Sequence, residues 1–170
     1  MSFSLEQLNA FSQPEFVEAL GWIFENSPWV AERAWHNRPF HTVLELRERM
    51  NAEVAAATHE EQLALLRAHP DLGTRARISP VSTNEQAGAG LDHLTPGEYA
   101  TLLELNKAYK EKFGFPFILA VKGVGKAVVL QSLEHRIESP PEAEFKEALS
   151  QVFRIAGFRL EDAVTQNAPQ

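Results

Sequence analysis

Hydrophobic positions recur along the chain at three- and four-residue steps, the spacing that stacks side chains on one face of an α-helix. Val43, Leu46, Met50 and Val54 form one such stripe. Tyr99, Leu102, Asn106, Tyr109 and Phe113 form a second, and Phe145, Leu149, Val152, Ala156 and Arg159 a third. The polar punctuation agrees. A Ser or Thr followed three residues later by Glu can satisfy the free amides at a helix N-terminus. That pattern occurs at Ser12 with Glu15, Thr42 with Glu45, Thr58 with Glu61, Ser82 with Glu85, Thr95 with Glu98 and Ser139 with Glu142. Pro14, Pro96 and Pro140 fall in first turns, where a missing N–H costs little. Turn-bounded alternation of period two is missing, and the one extended-looking stretch, residues 114–121, contains Pro116, which argues against a helix. The pattern predicts an all-α, single-domain bundle of about seven or eight helices over residues 1–165. The polar tail after about Asp162 is expected to fray, with residues 166–170 loose.

Composition narrows the picture further. With 44% hydrophobic and 23% charged residues, a chain of 170 has the make-up of one globular domain rather than of a disordered segment. The formal net charge of -7 offers no general attraction to nucleic acid or anionic lipid, so an anionic ligand must be met by local positive groups. Cysteine is absent, which removes disulfides and thiolate metal sites and fits a reducing compartment. No apolar run reaches membrane-span length. The N-terminus lacks signal-peptide character, and the C-terminal Ala-Pro-Gln is not a peroxisomal address. A cytoplasmic protein is expected.

Several familiar chemistries fail on residue type. His59-Glu60 begins like a zinc-protease helix, but the second His would fall at Leu63, and the six histidines show no helical ligand pair. No metal site is expected. Gly123-Val124-Gly125-Lys126 lacks the first Gly and the hydroxyl residue of a phosphate loop and reads as a helix entry. A Gly-x-Ser-x-Gly turn does not occur.

Three polar placements stand out. His69 follows Leu63 and Leu66 at helical spacing and precedes Pro70, which puts it at a helix C-terminus, where the dipole favours the imidazolium. It can be a capping residue or a general acid near neutral pH. Ser82 and Glu85 fit a capping pair, yet the following Gln86-Ala87-Gly88-Ala89-Gly90 is poor helix stock that would let a ligand approach the backbone. Arg159 lies on an apolar stripe and needs a carboxylate, either a protein acid such as Glu85 or an anionic substrate gripped by its planar fork. Asn106, also on a stripe, reads as a buried structural amide.

Taken in order, His69-Pro70-Asp71-Leu72-Gly73, Ser82-Thr83-Asn84-Glu85-Gln86, Gly90-Leu91, Asn106-Lys107-Ala108-Tyr109, Phe113-Gly114-Phe115-Pro116-Phe117-Ile118 and Arg154-Ile155-Ala156-Gly157-Phe158-Arg159-Leu160 resemble the OHCU decarboxylase family. OHCU is 2-oxo-4-hydroxy-4-carboxy-5-ureidoimidazoline, an unstable product of urate oxidation. The resemblance spans nearly the whole chain. It implies an all-α homodimer that converts OHCU to (S)-allantoin and carbon dioxide with neither metal nor organic cofactor. It places the catalytic histidine on His69, and the chemistry leads us to expect Glu85 to assist it by holding the substrate hydroxyl or tuning the imidazole. Substrate contacts fall on Pro70, on Ser82, Thr83, Asn84, Glu85 and Gln86, on the backbone of Phe117, Ile118, Leu119, Ala120 and Val121, and on Arg159. The competing expectation is a noncatalytic helical interaction module whose stripes and phenylalanines form a partner surface.

Overall fold

The computed structural model describes residues 2–73 and 80–165. Among them are nine α-helices: α1 (Leu5–Ala10), α2 (Gln13–Leu20), α3 (Trp29–Ala34), α4 (Val43–Ala55), α5 (His59–Arg67), α6 (Pro80–Gly88), α7 (Pro96–Phe113), α8 (Lys126–Arg136) and α9 (Pro141–Ala163). A 3₁₀ turn at Trp35–Asn37 follows α3. Two short strands, β1 (Phe3–Ser4) and β2 (Val164–Thr165), pair in parallel. The all-α expectation holds. The helix count exceeds it because α1 and α3 have six residues each, too few to display a repeating apolar face.

Four of the six expected helix starts are observed. Ser12, Thr42, Thr58 and Thr95 each accept a hydrogen bond from the amide of the Glu three residues on. The other two are corrected. Helix α6 begins at Pro80, whose fixed φ suits the first helical position, so Ser82 lies inside the helix rather than at its cap. Helix α9 begins at Pro141 rather than beside Ser139, because a residue preceding proline is pushed out of the helical region and Pro140 occupies that place. Lys126 opens α8 with Gly125 as its cap, as the failed phosphate-loop pattern suggests. The tail is ordered further than expected. Ala163 and Val164 bury their side chains, and the 164–165 backbone pairs with β1. Residues 166–170, the expected loose end, lie outside the described residues.

The chain forms two compact units, Met1–Ala68 with Phe153–Gln170, and His69–Val152. The first is built on Phe16, Leu20, Val30, Leu46, Met50, Val54 and Leu66, with the Phe16 and Phe40 rings stacked at 6.0 Å. The second is built on Leu102, Val129, Leu133 and Ala148 and on a cluster in which the buried Tyr109 ring meets Phe113, Phe115 and Phe117 at 4.5, 5.9 and 5.4 Å. No helix among the described residues is long and apolar enough to cross a membrane.

On the first unit, Glu61 closes the α5 capping box and also pairs with Arg33. Hydrogen bonding from the Arg33 guanidinium, and then from the Thr58 amide, holds its carboxyl at about 2 instead of the ordinary 4.5. A depressed carboxyl contributes stability above its unfolded value and loses it as pH falls through its folded value. Glu61→Gln is therefore expected to lower the urea midpoint modestly at neutral pH. The gap from the natural protein should close between 4.5 and about 2. A gap that stays constant over that window would assign the loss to something other than the ionised carboxylate.

Candidate active site

His69 is the second residue beyond α5, whose C-cap is Ala68, and it is 9% exposed. The loop it opens is held on both sides of one peptide, the one that joins Leu72 to Gly73. The Leu72 carbonyl accepts from Asn106 Nδ2 at 2.9 Å, and the Gly73 amide donates to Gln86 Oε1 at 2.8 Å. Both side chains are buried, and they reach the loop from α7 and α6 respectively. Asn106 is thus the buried structural amide its stripe suggests. Gly73 has φ +72, and a Cβ there would lie 2.2 Å from Leu102 Cδ2, so conformation and close approach both require glycine. Outside the buried pair, Lys110 meets Asp71 at 3.2 Å.

On α6, Ser82 and Gln86 are buried and Glu85 is half-buried. These three occupy one face at helical spacing, whereas Thr83 and Asn84 are exposed between them. The glycine-rich stretch that follows has a structural cause. The Leu91 amide donates to the Gln86 carbonyl and the Gly90 amide to that of Ala87, while Gly90 takes φ +78. This is a Schellman stop, in which the left-handed position favours glycine.

Helix α7 ends at Gly114, with φ +81, and the chain then runs without regular structure through residues 115–121. Phe117, Ile118, Ala120 and Val121 are buried there. Arg136 of α8 donates through Nη1 to the Ile118 carbonyl at 2.5 Å, and Gln151 Oε1 of α9 accepts from the Ala120 amide at 3.0 Å. The Arg136 guanidinium also donates through Nε to Glu144 at 2.7 Å and lies 4.5 Å above the Phe117 ring centre. The same Glu144 oxygen accepts from the Tyr109 hydroxyl at 2.5 Å. Burial, and next the Glu144 carboxylate, push the Tyr109 phenol well above its ordinary range, so it stays a donor. By contrast, the amide and carbonyl of Leu119 and the amide of Val121 take no part in the hydrogen bonds among the described residues.

Arg136, Glu144 and Gln151 were not anticipated from sequence. The signal was a stripe set one position off: the buried positions of α9 include Glu144, Ala148, Gln151, Val152 and Ala156, while Phe145 and Leu149 are only half-buried. Carrying the four-residue step back from Ala156 and Val152 through Ala148 reaches Glu144.

Arg159 lies in the first unit, 3% exposed, and its carboxylate partner is Glu25 rather than Glu85. Nη2 meets Glu25 at 2.8 Å, and Nη1 lies 3.2 and 3.3 Å from the Trp22 and Ile23 carbonyls. No sequence pattern marks Glu25, which sits between helices. Arg159→Met, by stranding a buried carboxylate, is expected to cost about 3–5 kcal/mol in denaturant unfolding. Adding Glu25→Met should return much of that loss, and a double variant no better than the single would refute the pairing. Gly73→Ala, which strains the backbone and collides with Leu102, should cost about 1–3 kcal/mol.

Comparison with known proteins matches the model of OHCU decarboxylase to residues 9–161. A 2-oxo-4-hydroxy-4-carboxy-5-ureidoimidazoline decarboxylase of Halalkalicoccus jeotgali is 45% identical over 159 residues, covering 94% of this chain and 90% of the relative. The crystal structure of an (S)-allantoin synthase superposes with a TM-score of 0.79 at 34% identity, covering 95% of this chain and 54% of that longer one. The crystal structure of an OHCU decarboxylase in the presence of (S)-allantoin superposes with a TM-score of 0.69 at 25% identity, covering 82% of this chain and 93% of that one. With a match over almost its full length, and with the histidine loop, the Ser-x-x-Glu-Gln helix and the Phe-Pro-Phe-Ile segment in place, the chain belongs to the OHCU decarboxylase family of carboxy-lyases.

Proposed function

We propose that the protein decarboxylates OHCU to (S)-allantoin and carbon dioxide in urate degradation, with His69 as the proton donor. The observation that carries the role of His69 is its burial at the start of a loop whose Leu72–Gly73 peptide is held on both sides, by Asn106 and by Gln86. A proton donor must deliver to one face of the intermediate, and a donor on a mobile loop would lose that selectivity.

The chemistry suits a site made only of side chains and backbone. In OHCU the carbon bearing the carboxylate adjoins a carbon–nitrogen double bond. When the bond to the carboxylate breaks, its electron pair passes into that double bond and carbon dioxide leaves, so the substrate supplies its own electron sink. The protein then has two tasks. It holds the carboxylate out of the ring plane, where the breaking bond overlaps the double bond, and it delivers one proton. His69 performs the delivery, and Glu85 binds the substrate hydroxyl or tunes the imidazole. Ser82 and Gln86 share a face of α6 with Glu85 and contact the ring. The Oε1 of Gln86 is already engaged with Gly73, which leaves its Nε2 to donate. Pro70 packs on the ring, and the Leu119 and Val121 peptides complete the contact set. Leaving a buried amide such as that of Val121 without a partner is unfavourable, which supports a substrate contact there. Thr83 and Asn84, exposed on the other side of the helix, are left out of the set.

Freshly generated OHCU decays unaided to racemic allantoin, so optical activity separates catalysis from background. Natural protein should accelerate formation of the (S)-enantiomer. His69→Asn should lower that rate about 10²- to 10⁴-fold while far-ultraviolet circular dichroism remains helical. Undiminished (S)-allantoin formation by the variant would remove His69 from the proton-donor role, and no acceleration by the natural protein would overturn the activity.

A further inference from the structure

We infer that Arg136 and Gln151 are positioning residues for the reaction, a polar clamp that turns the Leu119 and Val121 peptides toward the substrate. The inference rests on the proposed use of residues 117–121 as a backbone contact surface.

The carbonyl and the amide of one trans peptide point in opposite directions, so holding the Ile118 carbonyl and the Ala120 amide aims the Leu119 amide and carbonyl the other way. Ile118 and Ala120 are two apart, and their carbonyl and amide are the groups taken by Arg136 and Gln151. The Leu119 and Val121 amides stay unbonded among the described residues. A neighbouring strand would ordinarily hold such a segment, and here two side chains take its place. Leu119, Arg136, Glu144 and Gln151 line a cavity of about 450 Å³.

The clamp is itself rigid. Nε and Nη2 of Arg136 both contact Glu144, Nη1 holds the Ile118 carbonyl, and the guanidinium plane covers the Phe117 ring. Glu144, 1% exposed, is fixed in turn by the Tyr109 hydroxyl, and Gln151 is steadied by its bond to Glu147 at 2.8 Å. A buried ion pair contributes little net stability compared with apolar residues of similar volume. Its effect here is directional, because the planar fork fixes where the Ile118 carbonyl points and therefore where the next peptide points.

The test uses the double variant Arg136→Met/Glu144→Gln, which removes the donor to Ile118 without stranding a buried carboxylate and leaves Tyr109 an acceptor. Gln151→Leu, which releases only the Ala120 amide, decides the matter should the double variant not fold. Each is compared with natural protein in OHCU kinetics and in amide resonances of the ¹⁵N-labelled protein titrated with (S)-allantoin. Expected results are a KM raised about tenfold or more, an unaltered pH profile of kcat because His69 is untouched, and loss of the allantoin-induced shifts at Leu119 and Val121. Arg136→Lys, which keeps one donor, should recover part of the KM. A folded variant with natural KM and natural shifts would overturn the inference and reduce the clamp to a structural contact. Absence of shifts at Leu119 and Val121 in the natural protein would instead overturn the underlying backbone-contact reading, and the inference with it.

Discussion

Irregular backbone inside a helical protein presents carbonyls that no helix or sheet will satisfy, and in each unit of this molecule a buried arginine takes a share of them. In the first unit Arg159 donates to the Trp22 and Ile23 carbonyls and to Glu25. In the second, Arg136 donates to the Ile118 carbonyl and to Glu144. The glutamate balances the charge, and the fork supplies donors in fixed directions. Without the carboxylate the guanidinium would be too costly to bury, and without the guanidinium the connecting segments would carry orphaned acceptors.

The same division of labour governs the candidate site. Helices α6, α7, α8 and α9 provide the rigid frame, whereas the groups proposed to meet substrate lie on one face of α6, in the 69–73 loop and in the 115–121 segment. Loops can present peptide groups and side chains at angles that no helix surface offers, provided something fixes them. Asn106 and Gln86 fix the first, and Arg136 and Gln151 the second. Glycine supplies the junctions: Gly73 turns the histidine loop beneath Leu102, and Gly114 releases the chain from α7. A decarboxylation whose substrate holds its own electron sink asks mainly for orientation, which is the task proposed here for the segments these four polar side chains hold.

The helical class was legible in the sequence because its signals are local. A Thr or Ser and the Glu three residues later find each other within one turn, and Leu46, Met50 and Val54 share a face whatever the rest of the chain does. Proline modified the reading at both places where capping alone misplaced a start. The ordered motifs from His69 to Arg159 likewise sufficed to indicate the family, since residue type and order survive without coordinates.

Partnership was not legible, since it depends on residues distant in sequence. Arg159 visibly needed an acid, but the choice of Glu25, 134 positions away, was made by the fold, and Glu25 sits in no periodic pattern. Arg136, Glu144 and Gln151 drew no expectation from the sequence, and packing turned them inward around Tyr109 and Phe117. The sequence by itself determined where helices begin, which stripes are apolar and which family's residues are present. Only the tertiary structure decided which buried charges meet and which peptides are held, because a hydrogen bond between distant residues exists only once the chain has folded to bring them within three ångströms or so.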